Sequence, residues 1–222
     1  MRRGRFTESR FILCEGFEDA ALARGLIGTT SRRLPAFDVS PIPDLAGAAG
    51  KEGFEAAFIG SDAITGFENI VDVVVVADND SNALKSFNAV RAQLLKAKDE
   101  GNLKHNWAIP DHSGVRALGQ PSVSIWMWPT PGKQGCLETV LWDLIQTKYP
   151  SEAACVEAAM KCSGANAWSI SKLDKAKVRC FISVACKRNP AITLGNIWRD
   201  LPAVFPLTSS VFNQFSRFLA AI

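Results

Sequence analysis

The chain has 222 residues, 47% apolar and 21% charged, with a net charge of +3. This is ordinary globular composition, sufficient for one sizeable core with at most a small appendage. The weak positive balance permits a nucleic-acid partner without demanding one, and no apolar stretch approaches the roughly 20 residues of a membrane span, so no membrane partner is expected.

The opening "MRRGRFTESRFIL" carries Arg2, Arg3, Arg5 and Arg10, but its apolar run breaks at Glu15. No export signal is read there, and a cytoplasmic location is expected. A second basic cluster holds Lys172, Lys175, Lys177 and Arg179. Charge clusters of this kind are commonly solvated faces. Six cysteines lack any C-x-x-C spacing and read as reduced thiols used mostly in packing. The two histidines, His105 and His112, have too few ligand-type neighbours for a zinc site.

In chain order, "RFILC" reads as a buried strand and "EDAALARGLI" as a short helix stopped at Gly28. "AFDVSPI" reads as a second strand closed by Pro41 and Pro43, and "GFEAAFIG" as a helix or part of one. "NIVDVVVVADND" is the strongest strand signal. Val73 to Ala77 are apolar without alternation, as in a strand covered on both faces of a parallel sheet. "SNALKSFNAVRAQLLKAK" is an amphipathic helix with Leu84, Phe87, Val90, Leu94 and Leu95 on its apolar face. A polar loop leads to the strand "SVSIWMWP" and the helix "GCLETVLWDLIQTK".

Beyond Tyr149 the pattern turns helical, in "SEAACVEAAMKCSG", "SKLDKAKVRCFISVACKR" and "SSVFNQFSRFLAAI", with "NPAITLGNIWRDLPAVFPL" as a loop-rich stretch. Strands alternating with helices predict a mainly parallel α/β sheet flanked by helices. The expected organisation is an α/β core over 8–148 and a helical C-terminal extension over 149–222, packed on the sheet as one compact unit.

Ligands of open parallel sheets bind outside the carboxyl ends of the strands. Three acidic features fall there: Glu15, the pair Asp78 and Asp80, and Glu138. Asp78 and Asp80 are two apart, so extended geometry would turn them to the same side. Clustered carboxylates repel unless they share a cation. Oxygen ligands of this kind suit Mg2+ or Mn2+. Asp80 could instead cap the next helix, Asp19 reads first as a helix-start residue, and Glu138 alone could lie on a helix surface.

"ILCEGFEDAALARGLI" followed by "VVVVADNDSN" resembles the Toprim domain of topoisomerases, primases, small ribonucleases and the OLD family nucleases. Glu15, Gly16 and Asp19 match its first motif; Asp78 and Asp80 match its second. "GCLETVLWDLI", "DKAKVRCFIS" and "NPAITLG" extend the resemblance to stand-alone bacterial Toprim proteins related to the OLD nucleases.

The resemblance implies a Toprim-like fold and a nuclease cleaving DNA or RNA with Mg2+ or Mn2+, with room for two metals. It assigns metal binding and acid/base work to Glu15, Asp78 and Asp80. Glu138 would serve a second metal, Lys175 would assist catalysis, and Gly16 and Lys177 would contact substrate. Lys172 and Lys177 remain alternatives to Lys175. A protein partner or a homodimer is compatible with this picture. The rival readings are a Toprim-fold regulatory or binding module acting with a partner protein and, less favoured, a phosphatase of the HAD type. The HAD reading lacks its downstream G-D-x-x-x-D motif, and a receiver domain would want its acid pair after the first strand.

Overall fold

A computed structural model of the chain describes residues 5–29, 32–46, 50–100 and 107–222. Arg2, Arg3 and His105 of the sequence reading lie outside these residues. The strands are β1 (Arg10–Cys14), β2 (Asp38–Pro41), β3 (Asp72–Asp78), β4 (Arg116–Ala117) and β5 (Ser122–Trp128). Among the described residues they form one five-stranded sheet in the order β2-β1-β3-β5-β4. Every pairing is parallel except β4 with β5, so the mainly parallel α/β sheet flanked by helices is as expected.

The unbroken apolar runs follow from burial on both sides. Ile12, Cys14, Val74, Val76, Trp126 and Trp128 face one core. Phe11, Leu13, Val73, Val75, Ile125 and Met127 face the other. Each such side chain contributes roughly 1.5–3 kcal/mol by leaving water. The first core is closed by α1 (Phe17–Ile27), α5 (Leu137–Lys148), α7 (Ile170–Ala185) and α9 (Asn213–Ala220), through Leu22, Leu141, Phe181 and Phe215. Phe215 packs on Trp126, with ring centroids 5.2 Å apart. The second core is closed by α3 (Phe54–Asp62) and α4 (Ala83–Glu100), through Phe58, Phe87, Val90 and Leu94.

Several details differ from the sequence reading. Leu84 sits in the first turn of α4 and is 70% exposed, so the buried face of that helix is Phe87, Val90, Leu94 and Ala97. The polar loop before β5 contains β4, and Arg116 of β4 pairs with the buried Asp72. In the same loop Trp107 is buried against Phe67. The loop-rich C-terminal stretch holds α8 (Ile197–Asp200), whose Trp198 packs on Phe212. The remaining helices are α2 (Ile42–Ala46) and α6 (Pro150–Cys162). No helix among the described residues is long and apolar enough to cross a membrane.

Candidate functional site

The central strands β1 and β3 run side by side, with Cys14 opposite Val76. The Glu15 N–H continues that ladder by donating to Val76 O at 2.9 Å. This sets Glu15 beside the end of β3, where the Asp78 N–H donates to Glu15 Oε2 at 3.2 Å.

Asp78 is the hub. Its Oδ1 accepts from the Leu137 N–H at 3.2 Å, an otherwise orphan donor in the first turn of α5. Its Oδ2 pairs with Lys175 Nζ at 3.2 Å, and its carbonyl accepts from Lys51 Nζ at 2.7 Å. The strand end is hooked to the α5 approach by a backbone bridge, Asp80 N to Gly135 O at 2.7 Å and Gly135 N to Asp80 O at 2.8 Å. Gly135 has φ +128°, and a Cβ there would collide with Thr139 Oγ1. Asn79 points away and donates to the carbonyls of Thr130 and Lys133 at 2.9 and 2.6 Å.

Lys175 arrives because α7 is keyed to the start of α5. Val178, Phe181 and Ile182 are buried, and Ser171 and Asp174 continue that face. Thr139 Oγ1 donates to Asp174 Oδ2 at 2.8 Å while accepting from the Cys136 N–H at 3.1 Å.

Glu15, Gly16, Asp78, Glu138 and Lys175 line one cleft of about 300 Å3. Asp19 and the exposed ring of Phe17 line it too. Asp19 Oδ2 accepts from the Gly16 N–H at 3.3 Å, the helix-start role, while its buried Oδ1 has no hydrogen-bond partner.

The site is short of positive charge. Burial raises the Asp78 carboxyl to about 7; Lys175 opposes this, while Glu15, Glu138 and Asp80 reinforce it. Burial also raises Glu15, against the lowering effect of Lys51. Asp19 is raised well above the usual carboxylate range by burial, then by Asp78, Glu15 and Glu138. Burial works against the Lys175 ammonium, but Asp78 and Glu138 outweigh it and lift its pKa above the ordinary lysine value.

Asp78, Cys136 and Glu138 offer ligand atoms that lie within 4.8 Å of one another, so this buried group could hold a metal ion. Two carboxylates with a neighbouring third, plus the unpartnered oxygen of Asp19, fit a divalent cation by charge and donor type. Burial, then Glu138 and Asp78, push the Cys136 thiol up, and its Sγ–H donates to Ser171 O at 3.8 Å.

Two candidate residues are not among those lining the cleft. Asp80 lies beyond the extended strand, because β3 ends at Asp78 and Asp80 adopts φ +51°, and its charge still acts on Asp78 and Glu15. Its carboxylate pairs with Lys51 Nζ at 2.5 Å. Lys177 turns to Asp174 and Glu157, at 3.7 and 4.0 Å, with its ammonium 5.1 Å from the Trp142 ring centroid. Lys172 is exposed, as is His112, which joins no metal-capable group among the described residues.

Sequence reasoning missed Lys51 and Cys136. Cys136 could have been found as the N-cap of α5, two residues before Glu138. Nothing in the sequence around Lys51 signals its reach to Asp80.

Fold and site define an α/β protein with a cleft of acids and one lysine at the carboxyl ends of parallel strands. The chain belongs to the family described as "Protein of unknown function (DUF3226)", whose model matches residues 9–222. No curated protein and no solved structure matches the chain.

Proposed function

We propose that the protein is a Mg2+- or Mn2+-dependent nuclease of the Toprim, OLD-like kind, hydrolysing phosphodiesters of DNA or RNA. The observation that carries this reading is the meeting of Glu15, Asp78, Glu138 and Lys175, from β1, β3, α5 and α7, in one cleft. A fold needs no such concentration of acids, since each costs desolvation and repulsion that a bound cation would offset.

The metal would be held by Asp78 and Glu138, with Glu15 beside them. When bound it would supply Lewis acidity to the attacking water and the phosphoryl oxygens. The Asp78 carboxylate is fixed from two sides by Leu137 N–H and Lys175, so its oxygens are oriented before anything binds. Glu15, half-buried at the strand mouth, is placed to take a proton from water. Lys175, 46% exposed at its side chain, can turn its ammonium to a phosphate oxygen and neutralise charge as the transition state forms. The six free thiols support a cytoplasmic setting.

The test is a cleavage screen on plasmid, single-stranded DNA and structured RNA with Mg2+, Mn2+ or EDTA. Metal-dependent cleavage that Asp78→Ala abolishes is the expected result. Metal binding without cleavage of any substrate would favour a regulatory module acting with a partner.

A further inference from the structure

We infer that Lys51 is the built-in second cation of this site, so that the protein takes a single divalent ion, on the Asp78 and Glu138 side, and Asp80 is not one of its ligands. This rests on the metal-dependent reading above and fixes its metal count.

The Lys51 ammonium is held as a metal would be. It has three N–H donors and meets three oxygens: Asp80 Oδ2 at 2.5 Å, the Asp78 carbonyl at 2.7 Å and Ser86 Oγ at 3.3 Å. A carboxylate, a carbonyl and a hydroxyl are the oxygen donors that a hard cation also selects. Lys51 is not a surface lysine swinging onto an acid, since its side chain is only 14% exposed. Its turn is pinned from behind, where Gln93 Nε2 donates to Lys51 O at 2.8 Å and Gln93 Oε1 accepts from the Phe54 N–H at 3.0 Å.

The location is decisive. Lys51 bridges the carbonyl of Asp78 and the carboxylate of Asp80, the two residues that would share ions in a two-metal arrangement. It also offsets the charge of Glu15 more than Lys175 does. Lys175 takes the other flank, on Asp78 Oδ2. The acids are thus divided, with Asp80 served by a fixed ammonium and the Asp78, Cys136 and Glu138 group left for an exchangeable ion. A lysine cannot leave with product, so Lys51 acts as a positioning residue that holds the turn of the 78–80 segment at any metal concentration.

The experiment counts Mn2+ bound per chain, by calorimetry and by electron paramagnetic resonance of the free ion. Wild type and Lys51→Arg should each bind one ion. Lys51→Met should bind two, because the vacated oxygens become available to the ion. Asp80→Asn should still bind one, with affinity lowered by no more than the roughly 10–100-fold that losing a group outside the ligand shell costs. Two ions in wild type, one ion in folded Lys51→Met, or loss of the ion in Asp80→Asn would each overturn the inference. If Lys51→Met does not fold, the wild-type count and Asp80→Asn decide. No ion in wild type would instead overturn the metal-dependent reading itself. Two ions together with cleavage would leave that reading standing and remove only the role of Lys51.

Discussion

Glu15 and Asp78 lie 63 residues apart and are joined by one hydrogen bond, from the Asp78 N–H to Glu15 Oε2. The bond exists because β1 and β3 are parallel neighbours with Cys14 opposite Val76, which sets Glu15, the residue after β1, beside the last residues of β3. One acid therefore helps to orient the backbone of the other, and the cleft is built before any ligand arrives.

Mn2+ or Mg2+ should raise the melting temperature of the wild-type protein. Binding to the folded state alone stabilises by about 2.7 kcal/mol at roughly a hundredfold excess over the dissociation constant. Asp78→Ala should abolish the rise, and Glu138→Gln should reduce it. Thermal unfolding with and without the ion checks this, and an undiminished shift in Asp78→Ala would place the ion elsewhere.

Without metal, stability should fall as pH rises from about 4 toward 7. The Asp78 carboxyl titrates near 3.8 when unfolded and at about 7 when folded. Between those values the folded chain holds a proton that the unfolded chain has lost, so raising the pH favours unfolding. Above about 7 the loss is complete and the effect levels off, at an order of 1–4 kcal/mol. Glu15 and Asp19 are shifted in the same direction and add to it. Denaturant melts in EDTA across this range should show the slope, and Asp78→Asn should flatten it.

Lys175→Ala should lower cleavage by the folded protein by roughly tenfold to a thousandfold, the effect of losing one transition-state donor, alongside a loss of stability from leaving the buried Asp78 carboxylate without its ammonium. Lys177→Ala should leave cleavage in place. It removes an ion-pair partner of the buried Asp174, which keeps its Thr139 hydrogen bond, and should cost on the order of 1 kcal/mol while cleavage by the folded protein persists. Turnover and melting measured side by side separate the two lysines.

Gly135→Ala should destabilise by about 2 kcal/mol or more, since a Cβ would strike Thr139 Oγ1 in a backbone conformation that L residues rarely adopt. Because Gly135 leads directly into Cys136 and Glu138 of the metal-capable group, the same variant should weaken Mn2+ binding, which calorimetry would register.

Phe215→Ala should cost about 3–5 kcal/mol. Phe215 is 1% exposed and packs on both Trp126 and Trp128 of β5. A single unfolding transition shifted as a whole would mark α9 and the sheet as one cooperative unit.

The sheet was legible in the sequence because its strands carry their burial openly. Val73 to Val76 allow no polar face, and an acid directly after such a run has no packing role. The site was legible as far as its residues sit at strand ends. The turn at Asp80 was not legible because the sequence does not announce a left-handed residue at a non-glycine position. Lys51 was invisible for another reason. Its partners come from β3 and α4, and nothing in a local window encodes a contact 29 residues away.

The acids of the cleft share a position in the architecture. Glu15 stands one residue past β1, Asp78 is the last residue of β3, and Glu138 lies in the first turn of α5. They crown the two cores without filling them. Chemistry and folding can therefore be uncoupled, because Glu15→Gln with Asp78→Asn alters charge while leaving volume and both cores untouched. On the nuclease reading, such a double variant would be a bait, a cleft of unchanged shape that cannot hydrolyse, with which a bound nucleic acid could be recovered from a cell extract and identified.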